Sequence, residues 1–141
     1  MSKNLDTVLK YYALADATSP DITDLFVEDF EFHFPKFGVG RGKADFYELA
    51  QNLWLKIQDV HHQIDQFRII DAGDRICVEG TSRGFAQDGG TWEGGQTPGG
   101  RFCSVFEFEG DLISRMFVYL DPDYGAADTD RLIHNRANPI W

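Results

Sequence analysis

The residue of this chain best suited by type and place to move a proton is Asp121. It closes the apolar run Met116-Phe117-Val118-Tyr119-Leu120 just before Pro122. Two β-rich runs, residues 100–109 and 112–121, flank the turn Gly110-Asp111, and a two-residue turn fixes which side chains share a face. Pairing Glu109 with Leu112 sets Phe106 opposite Arg115, Ser104 opposite Phe117 and Phe102 opposite Tyr119. If Asp121 faces inward, then Tyr119, Phe117, Phe108, Phe106, Ser104 and Phe102 share its side, and the other face carries Leu120, Val118, Met116, Val105 and Cys103. A carboxylate enclosed by aromatic rings loses hydration and holds a proton more readily, which suits acid/base chemistry beside a carbonyl. The competing role is structural, with Asp121 accepting backbone N–H groups as a strand-end cap.

Other polar side chains are weighed the same way. His33 shares a parity with Glu31, opposite Phe30, Phe32 and Phe34, so it either lines the interior or points at a partner subunit. His61 and His62 open a strand on opposite faces, so at most one looks inward, and a strand-start surface role suits either. Arg115 falls on the inward parity but near the turn, where it can pair with a carboxylate or reach out to water. Trp54 and Trp92 can narrow a pocket entrance, although the spacing of Trp54 also suits the core. No third and fourth ligand stand at metal-binding spacing, so neither a metal nor another cofactor is expected. The glycines near 89 and 94 do not link a strand to a helix, so they form no phosphate cradle.

Composition limits the class of molecule such groups would serve. The chain has 141 residues, enough for one domain over 1–141 with a core that needs no disulfide or metal. Hydrophobic residues make up 43% and aromatic ones 14%, with 12 phenylalanines, a composition that points to something apolar being enclosed. The formal charge of −10 disfavours nucleic acid and anionic membrane surfaces as partners. No stretch approaches a membrane span and the N-terminus lacks a signal-peptide apolar core, so a cytoplasmic location is expected. Cys77 and Cys103 lie in separate strands and read as buried free thiols.

The elements that must position these residues follow from periodicity. Leu5, Val8, Leu9 and Tyr12 recur at helical spacing until Ser19-Pro20, predicting a helix over 3–17. Asp21 opens a short second helix, and Phe30 to Phe34 alternate as a strand. Glycines 38, 40 and 42 form a loop, and Phe46, Leu49, Ala50, Leu53, Trp54 and Ile57 mark an amphipathic third helix. Runs 61–70 and 75–85 flank the turn Asp71-Ala72-Gly73-Asp74. Residues 86–100, with six glycines, read as a long mobile loop of the lid type. Residues 128–136 can make a final helical turn or two, and the Pro139-Ile140-Trp141 tail is expected to dock. Helices followed by strands argue for an α+β fold with helices packed on one face of a curved, mainly antiparallel sheet that leaves a cone.

The runs YYALADATSPDITDLFVEDFEFHFP, GVGRGKADFYELAQ, HHQIDQFRIIDAGDRICVEG and GRFCSVFEFEGDLISRMFVYLDPD, taken in order, resemble the nuclear transport factor 2-like superfamily in its SnoaL-like polyketide cyclase branch. The resemblance spans about residues 5–124. It implies a cone-shaped, cystatin-like α+β barrel of a curved mixed sheet against three N-terminal helices. It also implies a homodimer through the outer sheet face and an apolar pocket for a small ligand. The aspartate closing the last long strand, proposed as acid/base in SnoaL-like cyclases, corresponds to Asp121. The helix-one tyrosine that donates to substrate in ketosteroid isomerases corresponds to Tyr11, while Tyr12 fits the buried stripe better. The isomerase carboxylates fall at Phe34 or His33 and near Phe102, so that chemistry is not expected. The epoxide-hydrolase arginine and second aspartate are missing from residues 79–84.

Fold alone does not supply a reaction. The residues favour a cofactor-independent cyclase, isomerase or dehydratase of a small apolar carbonyl compound. Its candidate catalytic groups are Asp121, Tyr11, Tyr119 and His33, with Phe34, Trp54, Phe102, Ser104, Phe106 and Phe117 lining the pocket. A non-catalytic carrier of an apolar ligand, and a dimeric assembly module with a vestigial pocket, remain the alternatives.

Overall fold

The computed structural model describes residues 2–121, 123 and 137; the expected C-terminal turn at 128–136 and the docked tail at 139–141 lie outside the described residues. Helix α1 (Lys3–Asp16) begins where the Ser2 hydroxyl accepts the Leu5 N–H at 3.2 Å, and it buries Leu5, Val8, Tyr11 and Tyr12. Its first turn is tied to two hairpin turns of the sheet. Ser2 Oγ donates to Asp71 Oδ2 at 2.5 Å, Asn4 donates to the Gly73 carbonyl at 2.8 Å, and Lys3 pairs with Asp111. A 3-10 turn (Pro20–Leu25) follows, and then strands β1 (Phe26–Phe34) and β2 (Gly38–Arg41). Helix α2 (Gly42–Trp54) sets Phe46 against the rings of Phe26, Phe30 and Phe32, with centroids 5.5 to 5.6 Å apart.

The remaining strands are β3 (Ile57–His62), β4 (Arg68–Asp71), β5 (Arg75–Ala86), β6 (Thr91–Glu93), β7 (Arg101–Glu109) and β8 (Leu112–Leu120). They form a curved, unclosed sheet of eight strands in the order β2-β1-β8-β7-β5-β3, with β4 and β6 also paired to β5. Only β1 and β8 run parallel among the described pairs. The three helical segments at the N-terminal end of the chain cover the inner face, giving the expected α+β cone in an open form. Phe30 and Phe106 are sealed in its core, each burial worth roughly 1.5–3 kcal/mol.

Several local expectations change: the loop at 38–42 holds β2, and Ile57 opens β3 instead of continuing the third helix. The β7–β8 hairpin starts in the expected register, Glu109 with Leu112, but an extra residue enters β8 between Ile113 and Arg115. Beyond that bulge Phe106 faces Met116, Ser104 faces Val118 and Phe102 faces Leu120, so the parity of β8 is reversed relative to β7. Met116 and Val118 are buried inside, while Phe117 and Tyr119 go to the outer face and Tyr119 is about half exposed. Arg115 joins them there, its guanidinium 3.5 Å from the Phe117 ring centroid and 3.2 Å from Glu107. The expected strand at 61–70 is two strands, β3 and β4, laid end to end along β5 and separated by a 3-10 turn (Ile64–Gln66).

Residues 86–100 do not form an open lid but fold back on β5 through β6. The Trp92 indole is buried and donates from Nε1 to Ser82 Oγ at 3.1 Å. It lies flat against Gly84, where an added Cβ would run into the indole and the Asp59 carbonyl. Cys77 and Cys103 are half-buried rather than sealed, and their sulfurs approach to 3.4 Å as free thiols. Burial and the neighbouring thiol push Cys103 up to about 11. Replacing Gly84 with Ala should therefore cost about 1–3 kcal/mol in chemical denaturation and shift the Trp92 fluorescence. An unchanged midpoint and spectrum would show that the indole does not need the glycine.

Candidate functional site

The site forms where the C-terminal end of α1 meets the end of β3. Asp16, the last residue of α1, accepts the His62 backbone N–H through Oδ2 at 2.8 Å and faces His62 Nδ1 through Oδ1 at 2.5 Å. Both side chains are largely buried, at 16% and 19% exposure. A carboxylate can only accept, so the ring must donate from Nδ1, and in neutral imidazole the lone pair then sits on Nε2. Nε2 has no hydrogen-bond partner among the described residues. The ring is held between Tyr12, 4.8 Å between centroids, and the edge of Phe102, 5.4 Å away.

His62 lines a chamber of about 130 Å³ bounded by Tyr11, Tyr12 and Ala15 of α1, Phe34 of β1, Leu53 and Trp54 of α2, and Ile57 and Val60 of β3. Ser82, Trp92, Phe102, Ser104, Val118 and Leu120 complete its walls, and Arg101 and Asp121 stand at its exposed edge. The two helix-one tyrosines have different roles. Tyr12 Oη is enclosed, with no hydrogen-bond partner among the described residues. Tyr11 is also buried, its hydroxyl makes no hydrogen bond among the described residues, and its side chain lines the chamber. Burial, reinforced by the Asp16 charge, raises Tyr11 well above its ordinary value, and burial does the same for Tyr12. Tyr11 thus keeps its proton, on the wall of the chamber that His62 also lines.

Of the residues singled out in the sequence, Tyr11, Phe34, Trp54, Phe102, Ser104 and Asp121 come together around the chamber. Phe106 does not line it; it packs behind Tyr11 and Tyr12, 5.5 and 6.0 Å between centroids. His33, Phe117 and Tyr119 meet one another on the outer sheet face, away from the chamber, with His33 Nδ1 3.3 Å from the Val118 carbonyl. Asp121 is exposed rather than enclosed by rings, and its Oδ1 accepts the Asp123 N–H at 2.9 Å, the geometry of a strand-end cap. The Asp16–His62 pair was missed because its members are 46 residues apart. The one available signal was that His61 and His62 must point to opposite faces. Among the described residues no group of three or more His, Cys, Asp and Glu side chains could hold a metal, and no helix is long and apolar enough to cross a membrane.

The raised tyrosines carry a pH consequence. Above about pH 10 the unfolded chain loses phenol protons that folded Tyr11 and Tyr12 retain, so the unfolded state binds fewer protons and stability falls as pH rises. Denaturation midpoints measured from pH 8 to pH 11 should decline for the natural protein, and the decline should be shallower in the Tyr11→Phe, Tyr12→Phe double variant.

Comparison with known proteins places this geometry in a family. The SnoaL-like domain model matches residues 8–116. Among solved structures, an NTF2-like protein of unknown function from Burkholderia pseudomallei is 22% identical, with 95% of this chain and 99% of that chain covered at a TM-score of 0.75. TerC, co-crystallised with polyporic acid, is 21% identical over 85% of this chain and 92% of its own, at a TM-score of 0.72. A Silicibacter protein named provisionally as a polyketide cyclase is 20% identical over 84% and 89%, at a TM-score of 0.67. A search of curated proteins gave no match. Identities this low show the fold alone, but the family match covers most of the chain, which therefore belongs to the SnoaL-like domain family.

Proposed function

We propose that this protein is a cofactor-independent acid/base enzyme acting on a small apolar carbonyl compound, as a cyclase, isomerase or dehydratase. The observation that carries the reading is the Asp16–His62 pair at an apolar chamber, with Tyr11 on the wall of the same space. In this scheme the substrate oxygen accepts from Tyr11 Oη. His62 Nε2 takes a proton from the carbon beside the carbonyl, leaving an enolate held by the Tyr11 hydrogen bond. Asp16 keeps the ring in the productive tautomer and stabilises the imidazolium that forms, which returns the proton at another carbon or to a departing oxygen. The apolar walls strengthen both interactions by excluding water.

Asp121 is in place at the edge of the chamber to hand a proton to a leaving group, or to act only as a cap. The names of two fold neighbours, one a provisional polyketide cyclase and one crystallised with polyporic acid, are in keeping with a carbonyl-bearing ligand. A homodimer through the outer sheet face belongs to the same proposal and is supported by Tyr119, about half exposed beside Phe117 and His33.

Proton abstraction can be read without knowing the natural substrate. In deuterated buffer, the protein should speed exchange of the hydrogens beside the carbonyl of a phenyl-substituted cyclohexanone, followed by proton NMR. His62→Gln should slow that exchange by about 100-fold or more, the usual contribution of a positioned base. Tyr11→Phe should slow it with the fold intact. Asp121→Asn should leave exchange unchanged if the residue is a cap. No acceleration by the natural protein, with binding retained in both forms, would move the protein to the carrier reading.

A further inference from the structure

A second chamber of about 260 Å³, twice the volume of the first, lies between the end of α1, the 3-10 turn and α2. Five residues, Tyr11, Ala15, Phe34, Leu53 and Trp54, line both chambers, so the two spaces adjoin. The chemistry of the two spaces differs. His62, Arg101 and Asp121 border the first, whereas no charged residue is among the described residues that line the second, whose polar lining residues include Tyr11, Tyr47, Thr18 and Ser19. Its floor is Met116, fully buried, and its far wall is the apolar face of α2 at Leu49 and Ala50.

We propose that this second chamber is a subsite for an uncharged, ring-sized apolar extension of the same molecule whose carbonyl end meets His62. The inference rests on the acid/base reading for the carbonyl end and adds the substrate class: a carbonyl compound bearing a neutral aryl or alkyl group. The first chamber is too small to take both parts, and Tyr11 stands on the boundary, where its hydroxyl can reach an oxygen at the junction. A carboxylate or phosphate on the extension would be stripped of water with no cation among the described lining residues to meet it, so the proposed extension is uncharged.

The test uses the full chain and three probes: cyclohexanone, cyclohexanone with a phenyl group on the carbon opposite the carbonyl, and that compound with a carboxylate on the phenyl ring. Calorimetry should show the phenyl group tightening binding about 10-fold or more, and the carboxylate removing the gain. Ala50→Trp fills the second chamber away from His62, so it should abolish the phenyl gain and leave cyclohexanone binding unchanged. In the natural protein, methyl-labelled NMR should place the phenyl protons against Leu49 and Ala50, a readout that does not depend on the variant folding. No gain from the phenyl group, including no binding of either ketone, overturns the proposal, as does a gain that survives Ala50→Trp or phenyl contacts confined to Trp92 and Ser82. Failure of the acid/base reading looks different: the phenyl gain and its sensitivity to Ala50→Trp persist, while His62→Gln leaves proton exchange unchanged.

Discussion

The contact on which the site depends is the double grip of one carboxylate on one histidine. Asp16 ends α1, and its two oxygens take the backbone N–H and the ring nitrogen of His62. Hydrogen bonds to an ionised acceptor are roughly twice as strong as neutral ones, and this one joins the helix to the edge strand of the sheet. The other end of α1 is tied by Ser2, Lys3 and Asn4 to the turns after β4 and β7. Fixed at both ends, the helix cannot rotate its tyrosines away from the sheet. Tyr11 and Tyr12 are therefore held between the core and the chamber, and the ring of His62 is clamped between Tyr12 and Phe102.

The aromatic wealth of the chain is spent on two layers with separate tasks. One cluster, Phe26, Phe30, Phe32 and Phe46, fastens α2 to β1. A second, Tyr11, Tyr12, Phe67, Phe102 and Phe106, forms a network of edge-to-face and tilted rings, of which Tyr11, Tyr12 and Phe102 line the chamber. Such pairs favour fixed centroid distances over simple close packing, so the wall keeps its shape when nothing fills the space in front of it. Trp92 closes the far side through its bond to Ser82 and its seat on Gly84. The segment that carries it is a β-ribbon because the glycines let the chain approach β5 closely, not because it must swing open.

The helix-one stripe, the alternation of Phe30 to Phe34 and the turn at Gly110-Asp111 were legible because each is a local signal, a period or a turn chemistry. The α+β cone followed from them. What escaped the sequence was non-local. A single extra residue near Ser114 reversed the parity of β8, which sent Phe117 and Tyr119 outside and brought Met116 and Val118 in. No turn or periodicity rule announces such a bulge in a strand that is apolar on both faces. Asp121 drew attention because its neighbours in sequence are apolar, yet exposure is set by neighbours in space, and at the strand end those include water. Tyr11 was legible through its place in helix one. His62 was visible only as one of two adjacent histidines, since the residue that gives it a role lies on another element.

In the proposed mechanism Asp16 fixes His62 with its proton on Nδ1 and the lone pair on Nε2. Nitrogen-15 NMR of the histidine rings reads this directly in the resting protein. His62 should show a protonated, strongly hydrogen-bonded Nδ1 and an unprotonated Nε2 at alkaline pH, and Asp16→Asn should alter both signals. A neutral His62 carrying its proton on Nε2, or one indifferent to Asp16→Asn, would contradict it.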